Sequence, residues 1–101
     1  MKLIWSPRAR ARSAEIVTHI IDEGRPQAAI AWIEGLERRV DLVRDAPLQG
    51  RQVPEWFDPK MREVFHKGFR VIYQVGDDLV EIVTIRHLRE DLSDSGTEDS
   101  S

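Results

Sequence analysis

The spacing of apolar residues changes once along the chain, near residue 60, and this change limits the folds available to it. Before that point apolar residues recur every three or four positions, which is typical of amphipathic helices. After it the chain is rich in Val, Ile, Phe and Tyr between glycine turns, which is typical of strands. Because the apolar stripe of a helix must be buried, the pattern predicts helices packed against a sheet.

The first half of the chain predicts one short strand and two helices. Residues 2–5 are a strand candidate, and Ser6 followed by Pro7 is typical of a helix N-cap and first turn. We expect a helix over residues 7–22 and a second helix that begins at Pro26. The apolar positions of the second helix are Ala29, Ile33, Leu36, Val40 and Val43. A link this short predicts an antiparallel helix hairpin.

The second half predicts a loop and three strands. Residues 46–60 contain three prolines and a glycine and predict an ordered loop. The predicted strands are residues 62–66, 69–75 and 79–87, with turns at Gly68 and at 76–78. The order β-α-α-β-β-β predicts an α+β fold, in which an antiparallel sheet carries the N-terminal helix hairpin on one face.

Composition excludes several classes of protein. The chain has no cysteine, which excludes disulfides, thiol catalysis and cysteine-based zinc sites, and which favours the cytoplasm. The three histidines lack metal-ligand spacing, so we expect no metal and no cofactor. No apolar run approaches the roughly 18 residues of a membrane span, so we expect no membrane partner.

Charge is distributed unevenly along the chain. Residues 90–101 hold five of the 18 acidic side chains and none of the 15 basic ones, so residues 1–89 carry 13 acidic and 15 basic side chains. Most of the cations are arginines, which suit nucleic acid or an acidic protein partner. We expect a folded domain over residues 1–92 and a disordered acidic tail over residues 93–101.

Several segments resemble, in order, those of one family of small toxins. Residues 47–55 resemble the segment before the central strands of the RelE/ParE superfamily, residues 61–75 resemble the central hairpin, and residues 81–89 resemble the last strand. Ser6-Pro7 before a helix is similar to the N-terminal segment of these proteins. The resemblance implies the toxin of a type II toxin–antitoxin (plasmid stabilisation) module, neutralised by a cognate antitoxin.

Two mechanisms occur on this fold, so the resemblance leaves the activity open. RelE- and YoeB-like members are metal-independent mRNA endoribonucleases that act on the ribosome, whereas ParE-like members inhibit DNA gyrase. The partner beyond the antitoxin is therefore either gyrase or the ribosome with its mRNA. An inert binding module on the same scaffold is a third interpretation.

Metal-free RNA cleavage requires a base, an acid and arginines around one phosphate. The resemblance implies Arg70 as a phosphate ligand, His87 as acid or base, and Glu55 as a possible base. Other basic side chains could bind RNA or another target, namely Arg51, Arg62, Lys67, Arg86 and Arg89. A two-residue turn before the last strand would place Arg70 and His87 on one face and Arg86 on the other, and a three-residue turn would reverse this.

Each of these residues also has a structural interpretation. Strand arginines are usually solvated or paired, and Glu55 could lie near Arg51 or Arg62. Trp56 and Phe57 could stack on a base, but anchoring of the loop to the core is favoured.

One departure from the nuclease pattern affects the choice of mechanism. The nucleases of this family carry a tyrosine, or a His-Tyr pair, after the last strand, and residues 88–101 contain neither residue. Tyr73, the only tyrosine, is predicted to be packed in mid-strand. The sequence therefore favours the gyrase inhibitor over the nuclease.

Overall fold

The helices and strands begin and end close to where the sequence places them. The computed structural model describes residues 1–89, and the predicted acidic tail lies outside the described residues. The elements are β1 (Lys2–Trp5), α1 (Pro7–Asp22), α2 (Pro26–Asp45), a 3-10 turn (Pro47–Gln49), β2 (Arg51–Gln52), β3 (Met61–His66), β4 (Phe69–Val75) and β5 (Leu79–His87). No helix among these residues is long and apolar enough to cross a membrane.

The side chain of Ser6 connects the first helix to the sheet. Its hydroxyl accepts a hydrogen bond of 2.9 Å from the backbone N–H of Ala9, which caps α1. The same hydroxyl donates to the carbonyl of Val83 in β5 at 2.7 Å. One short side chain therefore sets both the start of the helix and its position on the sheet.

The predicted α+β fold is confirmed, with two corrections to the sheet. Arg51 and Gln52, predicted to lie in a loop, form a short additional strand that pairs with β3. The five strands lie in the order β1-β5-β4-β3-β2. The pairs β2–β3, β3–β4 and β4–β5 are antiparallel, but β1 pairs parallel to β5, so the sheet is mixed and not wholly antiparallel. Parallel pairing requires a long connection, and here the helix hairpin and three strands lie between the two segments.

The two faces of the sheet bury different clusters. Val71 and Tyr73 point to the helix side and join the main core with Trp32 and Leu36 of α2. Ile72, between them, points to the other face, as strand alternation requires. There it packs with a second cluster of Val53, Trp56 and Met61. The loop over residues 53–60 therefore covers the face of the sheet opposite the helices.

The two hairpin turns differ in regularity. Lys67 and Gly68 have φ of 45° and 87° and join β3 to β4 as a two-residue turn, in which His66 faces Phe69. Between β4 and β5 the register changes: Tyr73 faces Ile82, but Ile72 faces Thr84. Val83 is the extra residue of a β-bulge, and such a bulge moves every later side chain of β5 to a new partner.

Candidate functional site

Arg70, which the family resemblance assigns to a phosphate, is buried and bonded to two carboxylates. Its side chain is 5% exposed. Its two Nη atoms donate to both carboxylate oxygens of Glu55, at 2.7 and 2.9 Å. Its Nε donates to Glu63 at 2.7 Å. The pKa of Arg70 is raised above its usual value, because the hydrogen bonds that it donates to Glu55, together with the one that it donates to Glu63, outweigh the effect of burial.

Glu63 is the centre of this group and is only 1% exposed. It lies on β3, one row along the sheet from Arg70, and it also accepts a hydrogen bond of 2.6 Å from Nε of Arg51 on β2. Arg51 in turn lies over the ring of Phe65, 5.1 Å from its centroid. We call Arg51, Glu55, Glu63 and Arg70 the clamp, because these four side chains fasten the 53–60 loop and β2 to the sheet.

Arg62 and Tyr73 face each other on the side of the sheet opposite the clamp, and both bind backbone. Nη1 of Arg62 donates to the carbonyl of Gly50 at 2.8 Å. The hydroxyl of Tyr73 donates to the carbonyl of Pro47 at 2.6 Å and accepts from the N–H of Gly50 at 3.0 Å. Burial raises the pKa of Tyr73. Both side chains therefore hold the 47–50 segment in place, and the hydroxyl of Tyr73 is unsuited to proton transfer.

Of the two arrangements that the turn length leaves open, the structure has Arg86, and not His87, on the face of Arg70. Near the turn the register is the expected one, because Val75 faces Val80. The bulge at Val83 then reverses it, so that Arg86 faces Arg70 and His87 faces Phe69. Glu55 binds Arg70 through both carboxylate oxygens, a partner that the sequence does not predict.

His87 lies at an open cleft of about 790 Å³, at the end of the sheet where the helix hairpin and the β3–β4 turn meet. Its ring contacts the edge of Phe69, with centroids 5.4 Å apart, and Phe69 contacts Trp32 at 5.5 Å. The apolar lining is Ile16, Ile20, Ala28, Ala31, Trp32 and Phe69. The charged and polar lining is Arg12, Glu15, His19, Glu23, Arg25, Lys67 and His87. An apolar floor under a charged rim suits an amphipathic peptide.

The proposed site residues therefore divide among separate places. Arg51, Glu55 and Arg70 meet in the clamp, whereas Lys67 and His87 line the cleft. Arg89 is exposed just past β5, where its backbone N–H donates to Nδ1 of His87 at 3.1 Å. Residues 1–89 contain no group of three or more His, Asp or Glu side chains placed to hold a metal ion.

Comparison with known proteins assigns the family. A family model described as the ParE toxin of the type II toxin–antitoxin system, parDE, matches residues 3–92. The chain belongs to this family. Comparison with curated proteins gives no significant match. Among solved structures, a chain of the chromosomal ParDE toxin–antitoxin system from P. aeruginosa is similar, with a TM-score of 0.75 and 21% identity over 88% of this chain and 97% of that one. That likeness shows the fold of this ParE family member.

The sequence prediction missed Glu63 as a partner of Arg70, although a signal was present. Lys67-Gly68 is a favourable two-residue hairpin turn, which pairs His66 with Phe69. Counting back from that pair places Glu63 and Arg70 on one face. An acid in an apolar strand, on the same face as an arginine, indicates a buried ion pair rather than a solvated charge.

Proposed function

We propose that this member of the ParE toxin family arrests growth by inhibiting DNA gyrase, and that it is not a ribonuclease. The proposal rests on the burial and the hydrogen bonding of Arg70. An arginine that neutralises a scissile phosphate must offer its N–H groups to it. The guanidinium of Arg70 instead faces Glu55 and Glu63, and it is almost completely buried. A phosphate at this position would meet two carboxylates.

The candidate proton carriers support the same proposal. Glu55 is hydrogen-bonded to Arg70 through both oxygens, whereas His87 lines the cleft beside Phe69. Tyr73 is buried. An acid, a base and a phosphate ligand thus do not meet at one point in residues 1–89. Inhibition of gyrase requires a complementary surface but no proton transfer. The clamp contributes to such a surface by fixing the 53–60 loop.

The cleft supports a cognate antitoxin as the second partner. Its apolar floor, which includes Trp32 and Phe69, would accept the apolar face of a helical or extended segment. Cations on the rim, among them Arg25 and Lys67, would steer acidic side chains of that segment towards the cleft. We place the toxin and this antitoxin in the cytoplasm.

Two assays on the purified full-length chain test the proposal. The first measures DNA supercoiling by purified gyrase, and the second maps 5′ ends on translated mRNA. We expect blocked supercoiling, intact messages and no change with His87→Ala. Codon-positioned cuts that disappear with His87→Ala would establish the ribonuclease instead. Absence of both effects, together with normal growth on induction, would indicate an inert binding module.

The antitoxin is tested separately by co-expression. We expect the small protein encoded beside this gene to restore growth and to co-purify with the toxin. Failure of every neighbouring reading frame to do either would contradict the proposed partner.

A further inference from the structure

The 53–60 loop carries a phenylalanine whose side chain is completely exposed. Phe57 is 100% exposed, although the adjacent Trp56 packs against Val53 and Ile72. An exposed phenylalanine contributes nothing to the core of this domain. Burial of such a ring by a partner removes a large apolar surface from water.

The loop fixes the backbone that carries this ring before any partner binds. On the N-terminal side of Phe57, the backbone N–H of Trp56 donates to the carbonyl of Val53 at 3.1 Å, and Glu55 forms a salt bridge with Arg70. On the other side, the side chain of Asp58 accepts from the N–H of Lys60 at 2.9 Å. Pro54 and Pro59 also restrict the backbone. Little backbone conformational entropy is therefore lost on binding, which favours this position as an anchor.

The surroundings of Phe57 indicate a protein partner rather than a nucleic acid. Its neighbours Glu55 and Asp58 are acidic, and the charge of Arg70 beneath the loop is already satisfied by two carboxylates. A polyanion binds where cations cluster and are available. An apolar pocket in a protein instead accepts a projecting ring, and acidic neighbours do not prevent this as they would prevent binding of a polyanion.

The position of the loop separates it from the cleft. The loop covers the sheet face opposite the helices through Val53 and Ile72, whereas the cleft is lined by both helices. A segment seated in the cleft and a protein that receives Phe57 therefore contact different faces of the domain.

We propose that Phe57 is the apolar anchor by which this chain binds gyrase, and that it enters an apolar pocket on the enzyme. This inference rests on the proposed function. The clamp positions the anchor: Glu55 and Arg70 do not touch the target but fix the loop that presents the ring.

Titration of gyrase supercoiling with full-length variants tests this inference. Phe57→Ala is expected to weaken inhibition about ten- to hundredfold, the loss that follows when burial of one phenylalanine is removed. Phe57→Leu keeps an apolar side chain and is expected to stay within about fivefold of wild type. Ile30→Ala removes an exposed apolar side chain from α2 and is the matched control, with inhibition unchanged. Thermal unfolding of each variant should match wild type, because Phe57 and Ile30 are exposed.

The outcomes distinguish this inference from the proposed function. If wild type inhibits gyrase and Phe57→Ala inhibits equally well, the anchor is wrong and the proposed function stands. If wild type leaves gyrase active, the proposed function is wrong and the anchor is wrong with it. If Phe57→Leu loses as much as Phe57→Ala while Phe57→Trp is active, the ring stacks on a nucleic-acid base, and the apolar protein pocket is refuted.

Discussion

Glu55 and Arg70 are joined by two hydrogen bonds, of 2.7 and 2.9 Å, between a loop and the middle strand of the sheet. Paired bonds of this kind are stronger and more directional than single ones. In this chain the arginine that a ribonuclease would offer to its substrate instead fixes the chain's own loop. Both Nη atoms of Arg70 are therefore bonded within the chain.

Arg70→Ala should lower the free energy of unfolding by about 3 kcal/mol, because it leaves the buried carboxylate of Glu63 with fewer partners. This loss of stability is at the lower end of the range expected when a buried ion pair is broken, since Arg51 still binds Glu63. Urea denaturation measures it. Arg44→Ala, which removes only exposed pairs with Asp41 and Asp45, should cost less than about 1 kcal/mol. Equal losses in the two variants would show that the clamp is not buried as described.

Tyr73→Phe should cost about 1–3 kcal/mol, because the carbonyl of Pro47 and the N–H of Gly50 lose their shared partner. Inhibition of gyrase at a temperature where the variant is folded should be unchanged. The free energy of unfolding and the inhibition of gyrase are measured on the same preparation of the variant. Loss of inhibition without loss of stability would show that the hydroxyl acts on the target.

Stability should fall as the pH drops below about 6.5, the usual pKa of histidine, in part because of His66. Burial lowers the pKa of the His66 ring, the hydrogen bond to the carbonyl of Trp32 opposes this, and the charges of Lys67, Arg39 and Arg38 lower the pKa further. The unfolded chain therefore takes up the proton first, and stability is retained above pH 6.5 and lost below it.

Urea denaturation at several pH values, on wild type and His66→Gln, isolates this contribution. The glutamine amide can still donate to the carbonyl of Trp32 but does not titrate. The loss of stability between pH 7 and pH 5 should be smaller in the variant. An identical pH profile would assign the effect to other groups.

Lys67→Glu should slow association with the antitoxin by about tenfold at low salt, because the rim of the cleft loses a steering cation. Stopped-flow or surface-plasmon kinetics at two salt concentrations measure the change, which should shrink as salt rises. Lys60→Glu is the control, because Lys60 does not line the cleft and its carbonyl binds Val75 at the other end of β4. A uniform effect of both variants would indicate net charge rather than the cleft.

Most of the fold follows from local patterns in the sequence. The Ser6-Pro7 pair marks the start of α1, and the periodicity of the second helix places Leu36 and Val40 in the core. The sequence does not predict whether β1 runs parallel or antiparallel to its neighbour. The alternation of apolar and polar side chains along a strand carries no information about the direction of the adjacent strand. The parallel pairing with β5 depends on how the whole helix hairpin packs.

The candidate site could be predicted only in part, for two physical reasons. The bulge at Val83 has no sequence signal, yet it decides whether Arg86 or His87 lies beside Arg70. The loop was expected to anchor itself through aromatic residues, and this is correct for Trp56 but wrong for Phe57. Neighbouring residues in a loop need not point the same way, so sequence alone does not separate a packed ring from a presented one.

The parallel pairing of β1 with β5 also bears on when the domain can first exist during translation. Ser6 and Val83, which are hydrogen-bonded, are 77 residues apart in the sequence. The first strand to be synthesised, β1, therefore pairs with the last, β5. Until β5 has left the ribosome, β1 has no strand to pair with, and closing so long a segment is entropically costly. β2, β3 and β4 can pair as soon as they are made, whereas β1 joins the sheet only after β5 is available.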